Sequence, residues 1–134
     1  MYMDFLEACK CKILIVFKIL LVGEEIVIVN CKHSKDRTGL ICMLVMLLCD
    51  IPDEKIVLEY SRSFDNLNVG RNKERMIDDM KSCGLSEEFV YSKQEYMFDL
   101  LKEFRYKYKS VNHYLDSLGF NHSDQDLFVK KFKI

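Results

Sequence analysis

The sequence predicts an α/β protein that is mostly helical and contains one clear central strand. The strand is predicted by "IVIVN", residues 26–30, because this β-branched run is apolar on both faces, as in strands buried within a parallel sheet. The segments on either side place apolar residues at helical intervals. No other segment has the pattern of a strand, and one buried strand cannot satisfy its own backbone. Either further strands escape recognition, or the flanking sheet lies outside this chain.

The helices are predicted from their apolar spacing and from the residues that end them. The first covers residues 1–22 and ends at Gly23, a common helix-terminating residue. Six more are predicted, over residues 38–49, 53–64, 73–81, 92–108, 111–118 and 123–132. Pro52, Gly84 and Gly119 separate several of them. With no repeat, low-complexity stretch or linker, residues 1–134 are predicted to form a single domain.

Charge and cysteine content limit the functional classes. The 20 Lys and Arg residues nearly balance the 21 Asp and Glu residues, so no overall field attracts nucleic acid, and no nucleic-acid partner is expected. The six cysteines are not preceded by a signal peptide, which predicts reduced thiols in a cytoplasmic protein. The longest apolar run, residues 13–22, contains Lys18 and is far shorter than the roughly 20 residues of a membrane span, so no stable membrane insertion is expected.

The stretch "CKHSKDRTG", residues 31–39, lies between the predicted strand and a long apolar helix. The N-terminus of a helix offers unpaired N–H groups and the positive end of the dipole, so a tight loop there can surround a phosphate. Arg37 would add a planar fork for two phosphate oxygens. Cys31 would place its sulfur at the centre, where the same donors favour the thiolate. A thiolate beneath a bound phosphate is a nucleophile.

Other interpretations of these residues remain open. A cysteine six residues before an arginine is weak evidence by itself, and Cys31 could be a structural thiol with Arg37 a surface charge. Zinc binding by Cys9, Cys11, Cys31 and His33 is disfavoured, because positions two apart on a helix face different directions. We therefore expect no metal and no other cofactor. The flanking strand and helix favour the phosphate loop.

The loop "CKHSKDRTG" resembles the Cys-x5-Arg-Thr-Gly loop of the cysteine-dependent tyrosine and dual-specificity phosphatase superfamily. It is most similar to the branch whose loop reads His-Cys-x-x-Gly-Lys-Asp-Arg-Thr-Gly, which contains tyrosine and phosphoinositide phosphatases. The segments "DIPDEKIVLEYSRS", residues 50–63, and "YKSVNHYLDSLGFNHSDQDLFVKKF", residues 108–132, are also similar to this branch. The resemblance implies the C-terminal part of the cysteine-phosphatase fold. The domain would be N-terminally truncated, with the remaining half in a longer gene product or a partner chain.

The resemblance also implies catalytic roles for four residues. Cys31 would be the nucleophile that forms a phosphocysteine, and Arg37 would bind the phosphoryl oxygens. Asp36 would be a loop carboxylate able to hold or move a proton. Thr38 would donate a hydrogen bond to the sulfur and ease its departure when water attacks.

Four residues of the loop are expected to bind substrate. Lys35 would lie at the mouth of the loop, where the branch uses this lysine for the extra phosphates of inositol lipids. The other three predicted substrate-binding residues are Lys32, His33 and Ser34.

The sequence departs from the branch at three points. The histidine before the nucleophile is replaced by Asn30, which removes one means of lowering the thiol pKa. The glycine of the loop is replaced by Ser34, which would cost about 1–3 kcal/mol if that position requires a positive φ. Nothing in residues 1–25 resembles the loop that carries the general acid of the branch.

Two functions are compatible with these features. The first is a cysteine-dependent phosphatase that hydrolyses phosphotyrosine or phosphoinositide monoesters, so that its partner is a phosphorylated protein or a phosphoinositide. The second is a catalytically impaired pseudophosphatase, or a truncated remnant that binds phosphate without turnover.

Overall fold

The computed structural model describes residues 1–67 and 71–133. Within these ranges the chain forms eight α-helices, which are α1 (Tyr2–Ala8), α2 (Lys10–Val22), α3 (Asp36–Leu48), α4 (Asp53–Leu67), α5 (Arg71–Ser82), α6 (Gln94–Tyr108), α7 (Val111–Ser117) and α8 (His122–Phe132). A short 3₁₀ helix covers Glu87–Val90. In the part of the chain that the structure describes, none of the helices has the length and apolar content that crossing a bilayer requires.

The predicted α/β class with a central strand at residues 26–30 is wrong. Residues 26–30 lie in an irregular connection between α2 and α3, and residues 1–67 and 71–133 contain no strand. The side chains of Ile26 and Ile28 are 95% and 81% exposed rather than buried. The β-branched residues favour an extended backbone. An extended segment becomes a strand only where a neighbouring backbone pairs with that segment. Residues 26–30 have no such neighbour among the described residues.

The helices, in contrast, follow the apolar spacing closely. All six helices predicted after residue 30 are present, with ends displaced by no more than three residues. The predicted first helix is divided into α1 and α2 at Cys9, whose backbone leaves the helical region at φ −106° and ψ 18°. Apolar periodicity therefore located the helices but did not detect this break, which no proline or glycine marks.

Aromatic side chains from α2, α6, α7 and α8 form the centre of the hydrophobic core. Phe17 is fully buried, and its ring centroid lies 5.4 Å from that of Phe120 and 5.2 Å from that of Phe128. Tyr114 is also fully buried, and its hydroxyl donates a 2.7 Å hydrogen bond to the carbonyl oxygen of Leu6. This bond satisfies a polar atom that would be costly to bury alone. The two N-terminal helices are thus packed into the C-terminal half of the core.

The end of α2 is held by a lysine from the last helix. The Lys131 ammonium group donates hydrogen bonds to the carbonyl oxygens of Leu20 at 2.8 Å and Leu21 at 3.1 Å, and also to that of Gly23. Carbonyls in the last turn of a helix lack intrahelical partners, and a cation there also interacts favourably with the helix dipole. Lys131 therefore fixes the point from which the chain leaves α2 toward Cys31.

We predict that Phe17→Ala lowers the free energy of unfolding by about 3–5 kcal/mol, because it leaves a cavity between Phe120 and Phe128. Ile15→Ala is the matched control on the same helix. Ile15 is 56% exposed, so its replacement should change stability by no more than about 0.5 kcal/mol. Urea unfolding followed by circular dichroism measures both values. Equal stabilities of the two variants would contradict this description of the core.

Candidate active site

The candidate site is formed by residues 31–35 and the first turn of α3. The helix begins at Asp36, two residues earlier than the sequence predicted, so Arg37 and Thr38 belong to its first turn. The N–H groups of a first helical turn have no partner within the helix. The backbone N–H groups of His33, Ser34 and Thr38 lie close enough to the Cys31 sulfur to lower the pKa of its thiol. The loop thus directs its backbone toward the thiol.

The environment of Cys31 favours the thiolate. Partial burial raises the pKa of the thiol, but the Thr38 hydroxyl and the backbone N–H groups of Thr38, His33 and Ser34 together outweigh it, so that the pKa lies below its ordinary value. The Thr38 hydroxyl oxygen is buried and forms no hydrogen bond in the described part of the chain, so its proton is available to the sulfur.

Two other cysteines have the opposite environment. Burial raises the pKa of both Cys42 and Cys49, and neither has a donor that reverses the effect. Cys31 is therefore distinguished from them by its hydrogen-bond donors rather than by exposure.

Ser34 occupies the left-handed backbone region, with φ +50°. Its hydroxyl donates a 3.4 Å hydrogen bond to the carbonyl oxygen of Cys31. This is the position at which the similar loops have glycine, and a positive φ explains the preference, since a Cβ atom is disfavoured there. Ser34 adopts this backbone conformation although it carries a Cβ atom.

A cavity of about 230 Å³ opens beside Cys31. Cys31, Arg37 and Thr38 line one part of it, and Lys12 of α2 lines another. Arg37 and Lys12 are both exposed, and neither forms an ion pair with the residues that the structure describes. A nucleophilic sulfur and two available cations therefore share one cavity, which suits an anion the size of phosphate. Lys12 was not predicted as a site residue, because only the packing of α2 brings it to this cavity.

Lys35 and Asp36 turn into the protein. Lys35 is 1% exposed, and its ammonium group donates a 2.7 Å hydrogen bond to Oδ1 of Asp36. The Tyr2 hydroxyl donates to the same oxygen at 2.6 Å and shares a 2.7 Å hydrogen bond with the Tyr60 hydroxyl. A buried ammonium group requires such a partner. In this structure Lys35 consequently does not lie at the mouth of the loop.

The hydroxyls in this network remain protonated donors. Burial, followed by the hydrogen bonds with Asp36 and Tyr60, raises the pKa of Tyr2 well above its usual range. Burial raises the pKa of Tyr60 to about 12. Tyr2 is thus a permanent donor to Asp36 at neutral pH, a contact that the sequence did not reveal because the two residues are far apart in the chain.

Lys32 and His33 are held by a carboxylate from α5. Oδ1 of Asp79 lies 2.9 Å from the Lys32 ammonium nitrogen, and Oδ2 lies 3.2 Å from Nε2 of His33. The hydrogen bond from Lys32 is the largest cause of a lowered pKa for the Asp79 carboxyl. The side chains of Lys32 and His33, which were predicted to bind substrate, therefore contact Asp79 of the protein itself.

No metal centre is assembled in the described residues. No group of three or more His, Cys, Asp and Glu side chains within residues 1–67 and 71–133 could hold a metal ion, and this includes Cys9, Cys11, Cys31 and His33. The six cysteines are all free thiols.

We predict that Thr38→Ala raises the pKa of Cys31, because the variant loses one of the donors that stabilise the thiolate. The rate at which iodoacetamide alkylates Cys31 should then fall at neutral pH. The midpoint of the pH profile of this rate should move to higher pH. Thr38→Ser keeps the hydroxyl and is the control. Peptide mass spectrometry assigns the alkylated cysteine at each pH. A Thr38→Ala protein with an unchanged midpoint would show that the hydroxyl does not act on the sulfur.

Comparison with known proteins agrees with this geometry. A family model described as the tyrosine phosphatase family matches residues 1–133. No significant match was found among curated proteins or among solved structures. The match covers nearly the whole chain, and it confirms the resemblance carried by the loop and supports a phosphatase function in general. The chain therefore belongs to the tyrosine phosphatase family.

Proposed function

We propose that the chain is a cysteine-dependent phosphatase that hydrolyses phosphotyrosine through a phosphocysteine on Cys31. One observation carries the proposal: the thiol with the lowered pKa shares a cavity with Arg37 in a member of the tyrosine phosphatase family. Catalysis would come mainly from positioning the phosphate and stabilising its charge, since phosphoryl transfer needs little other chemistry from the protein.

In the proposed first step the phosphate enters the cavity beside Cys31. The guanidinium group of Arg37 binds two of its oxygens, and the backbone N–H groups of the loop bind the others. The Cys31 thiolate attacks the phosphorus, so that a sulfur–phosphorus bond forms as the bond to the ester oxygen breaks. Lys12 supplies a second positive charge at the same cavity.

Asp36 is the residue proposed to move the proton. Its Oδ1 accepts hydrogen bonds from Tyr2 and Lys35, which fix the orientation of the carboxyl group. The step requires Asp36 to start in its protonated form: its other oxygen, which has no hydrogen-bond partner in the described residues, would then carry the proton and give it to the leaving oxygen.

In the second step water attacks the phosphocysteine, and Asp36 would take up a proton from that water. The sulfur–phosphorus bond breaks, and the sulfur leaves as a thiolate. The Thr38 hydroxyl would stabilise this thiolate by a hydrogen bond. Inorganic phosphate is released, and the enzyme returns to its starting state.

Two observations favour phosphotyrosine over a phosphoinositide. Apolar side chains, among them Phe5, Ile13 and Val16, line the rest of the cavity beside Cys31 and could contact an aromatic ring. Lys35, the residue expected to bind extra inositol phosphates, is buried and paired with Asp36. A free catalytic thiol also requires reducing surroundings, so we infer a cytoplasmic location for the enzyme.

One observation favours the alternative of phosphate binding without turnover. Asn30 replaces the histidine found before the nucleophile in similar loops, and it is exposed without a side-chain hydrogen bond to the described part of the loop. An enzyme that lacks this contact could bind phosphate and fail to form or hydrolyse the phosphocysteine.

We predict that the wild-type protein shows burst kinetics with an aryl phosphate, whereas Cys31→Ser has no turnover but still binds phosphate. Arg37→Ala should weaken vanadate binding by about 10- to 100-fold, because a hydrogen bond to a charged group contributes about 1.5–3 kcal/mol. Arg62→Ala is the control, since Arg62 is exposed on α4 and pairs with Glu59. Calorimetric titration with vanadate gives the affinities.

The outcomes separate the two functions. Phosphate binding by a wild-type protein without turnover would establish the alternative. Unchanged vanadate affinity of Arg37→Ala would exclude the loop as the binding site, whatever the activity.

We also predict that kcat/KM is higher for a phosphotyrosine peptide than for a short-chain phosphoinositide, since the cavity offers apolar contacts for a ring, whereas Lys35 does not line it and is paired with Asp36. Released phosphate measures both reactions under the same conditions. A preference for the phosphoinositide would contradict the assigned substrate class and leave the reaction type unchanged.

A further inference from the structure

The segment that carries Cys31 has little backbone support of its own. Among the described backbone hydrogen bonds, none involves residues 24–34, and the first to involve the loop runs from the N–H of Gly39 to the carbonyl oxygen of Lys35. The amides of His33 and Ser34 lie in this unsupported stretch. A loop of this kind keeps one conformation only if side chains hold it.

Asp79 is the side chain that holds the middle of this loop. Its two carboxylate oxygens contact two consecutive loop residues, Lys32 at 2.9 Å and His33 at 3.2 Å. The His33 side chain is only 15% exposed, so its position is restricted on the other sides as well. Asp79 belongs to α5, where Met76 is buried and anchors the helix in the fold. One carboxylate therefore ties the loop to a fixed helix.

We propose that Asp79 is a positioning residue that keeps the backbone N–H groups of His33 and Ser34 around the Cys31 sulfur when no phosphate is bound. Its effect on turnover rests on the proposed function, but its effect on the thiol does not. Asp79 contacts neither the sulfur nor a substrate in this assignment, and it acts entirely through the loop.

The sign of one measurable change distinguishes positioning from simple electrostatics. Removing the Asp79 carboxylate takes away a negative charge and releases the charge of Lys32, and by electrostatics alone this would lower the pKa of Cys31. Losing the aligned amides would raise it. The cations Arg37 and Lys12 at the cavity of Cys31 are unchanged by the substitution.

The ion pair between Asp79 and Lys32, which is the clamp on this loop, is present throughout the pH range in which a thiol titrates. The pKa of the Asp79 carboxyl lies below its ordinary value, chiefly because of the hydrogen bond from Lys32. The carboxylate is therefore charged at neutral and alkaline pH, and the clamp is lost only as the pH falls through that lowered pKa. Alkylation of Cys31 near neutral and alkaline pH thus reports on the intact clamp.

The experiment is the pH profile of Cys31 alkylation in Asp79→Ala, with Asp78→Ala as the matched control. Asp78 is the exposed neighbour on α5, and the substitution changes helix propensity and net charge in the same way. We expect the midpoint to move to higher pH in Asp79→Ala, to stay unchanged in Asp78→Ala and to move back toward the wild-type value in Asp79→Glu. A midpoint in Asp79→Ala that is unchanged, or lower than in the wild type, would overturn the proposal.

Folding is checked by circular dichroism before alkylation. If Asp79→Ala does not fold, Asp79→Asn replaces it, since it keeps the size of the side chain, and the expected shift has the same sign. Because thiol titration needs no substrate, an inactive protein still gives a result. In an active protein, kcat/KM of Asp79→Ala should fall at neutral pH and recover at higher pH. A loss that is the same at every pH would contradict positioning through the thiol.

Discussion

The set of hydrogen-bond donors around the Cys31 sulfur is the constraint on which the rest of the site depends. A partly buried thiol is normally kept neutral, and at Cys31 hydrogen-bond donors near the sulfur reverse this. Those donors come from the loop and from the first turn of α3, so the helix has to begin where it does. Gly39 allows α3 to pack closely on α4, because a Cβ atom there would lie 3.1 Å from the Tyr60 ring.

The loop is fixed by side chains that point away from the sulfur. Asp79 holds its middle from α5, and Asp36, which also pairs with Lys35, holds its end through the hydrogen bond from Tyr2 of α1. The start of the connection is fixed by Lys131, which binds the carbonyl groups at the end of α2. With these side chains engaged by the protein, the backbone of the loop is left facing the thiol. This division explains how a segment without regular structure can present an ordered group of amides.

Some of the fold and the site could be predicted from the sequence and some could not. Helix positions followed from apolar spacing, because burial of one face is a local pattern. The prediction of a strand at residues 26–30 was wrong because a strand must pair with a second backbone, and the sequence pattern of one segment carries no information about that partner. Cys31, Arg37 and Thr38 could be proposed together because they are close in sequence, and they line one cavity. Lys12 could not, since packing alone brings it to the cavity.

The most direct test of the account is to trap the proposed intermediate. The protein is mixed with an aryl phosphate, quenched with acid within the first turnover, digested and examined by mass spectrometry. The account predicts one added phosphoryl group on the peptide that contains Cys31, and none on that peptide from Cys31→Ser. Turnover without a phosphorylated Cys31, or a phosphoryl group on another residue, would contradict it.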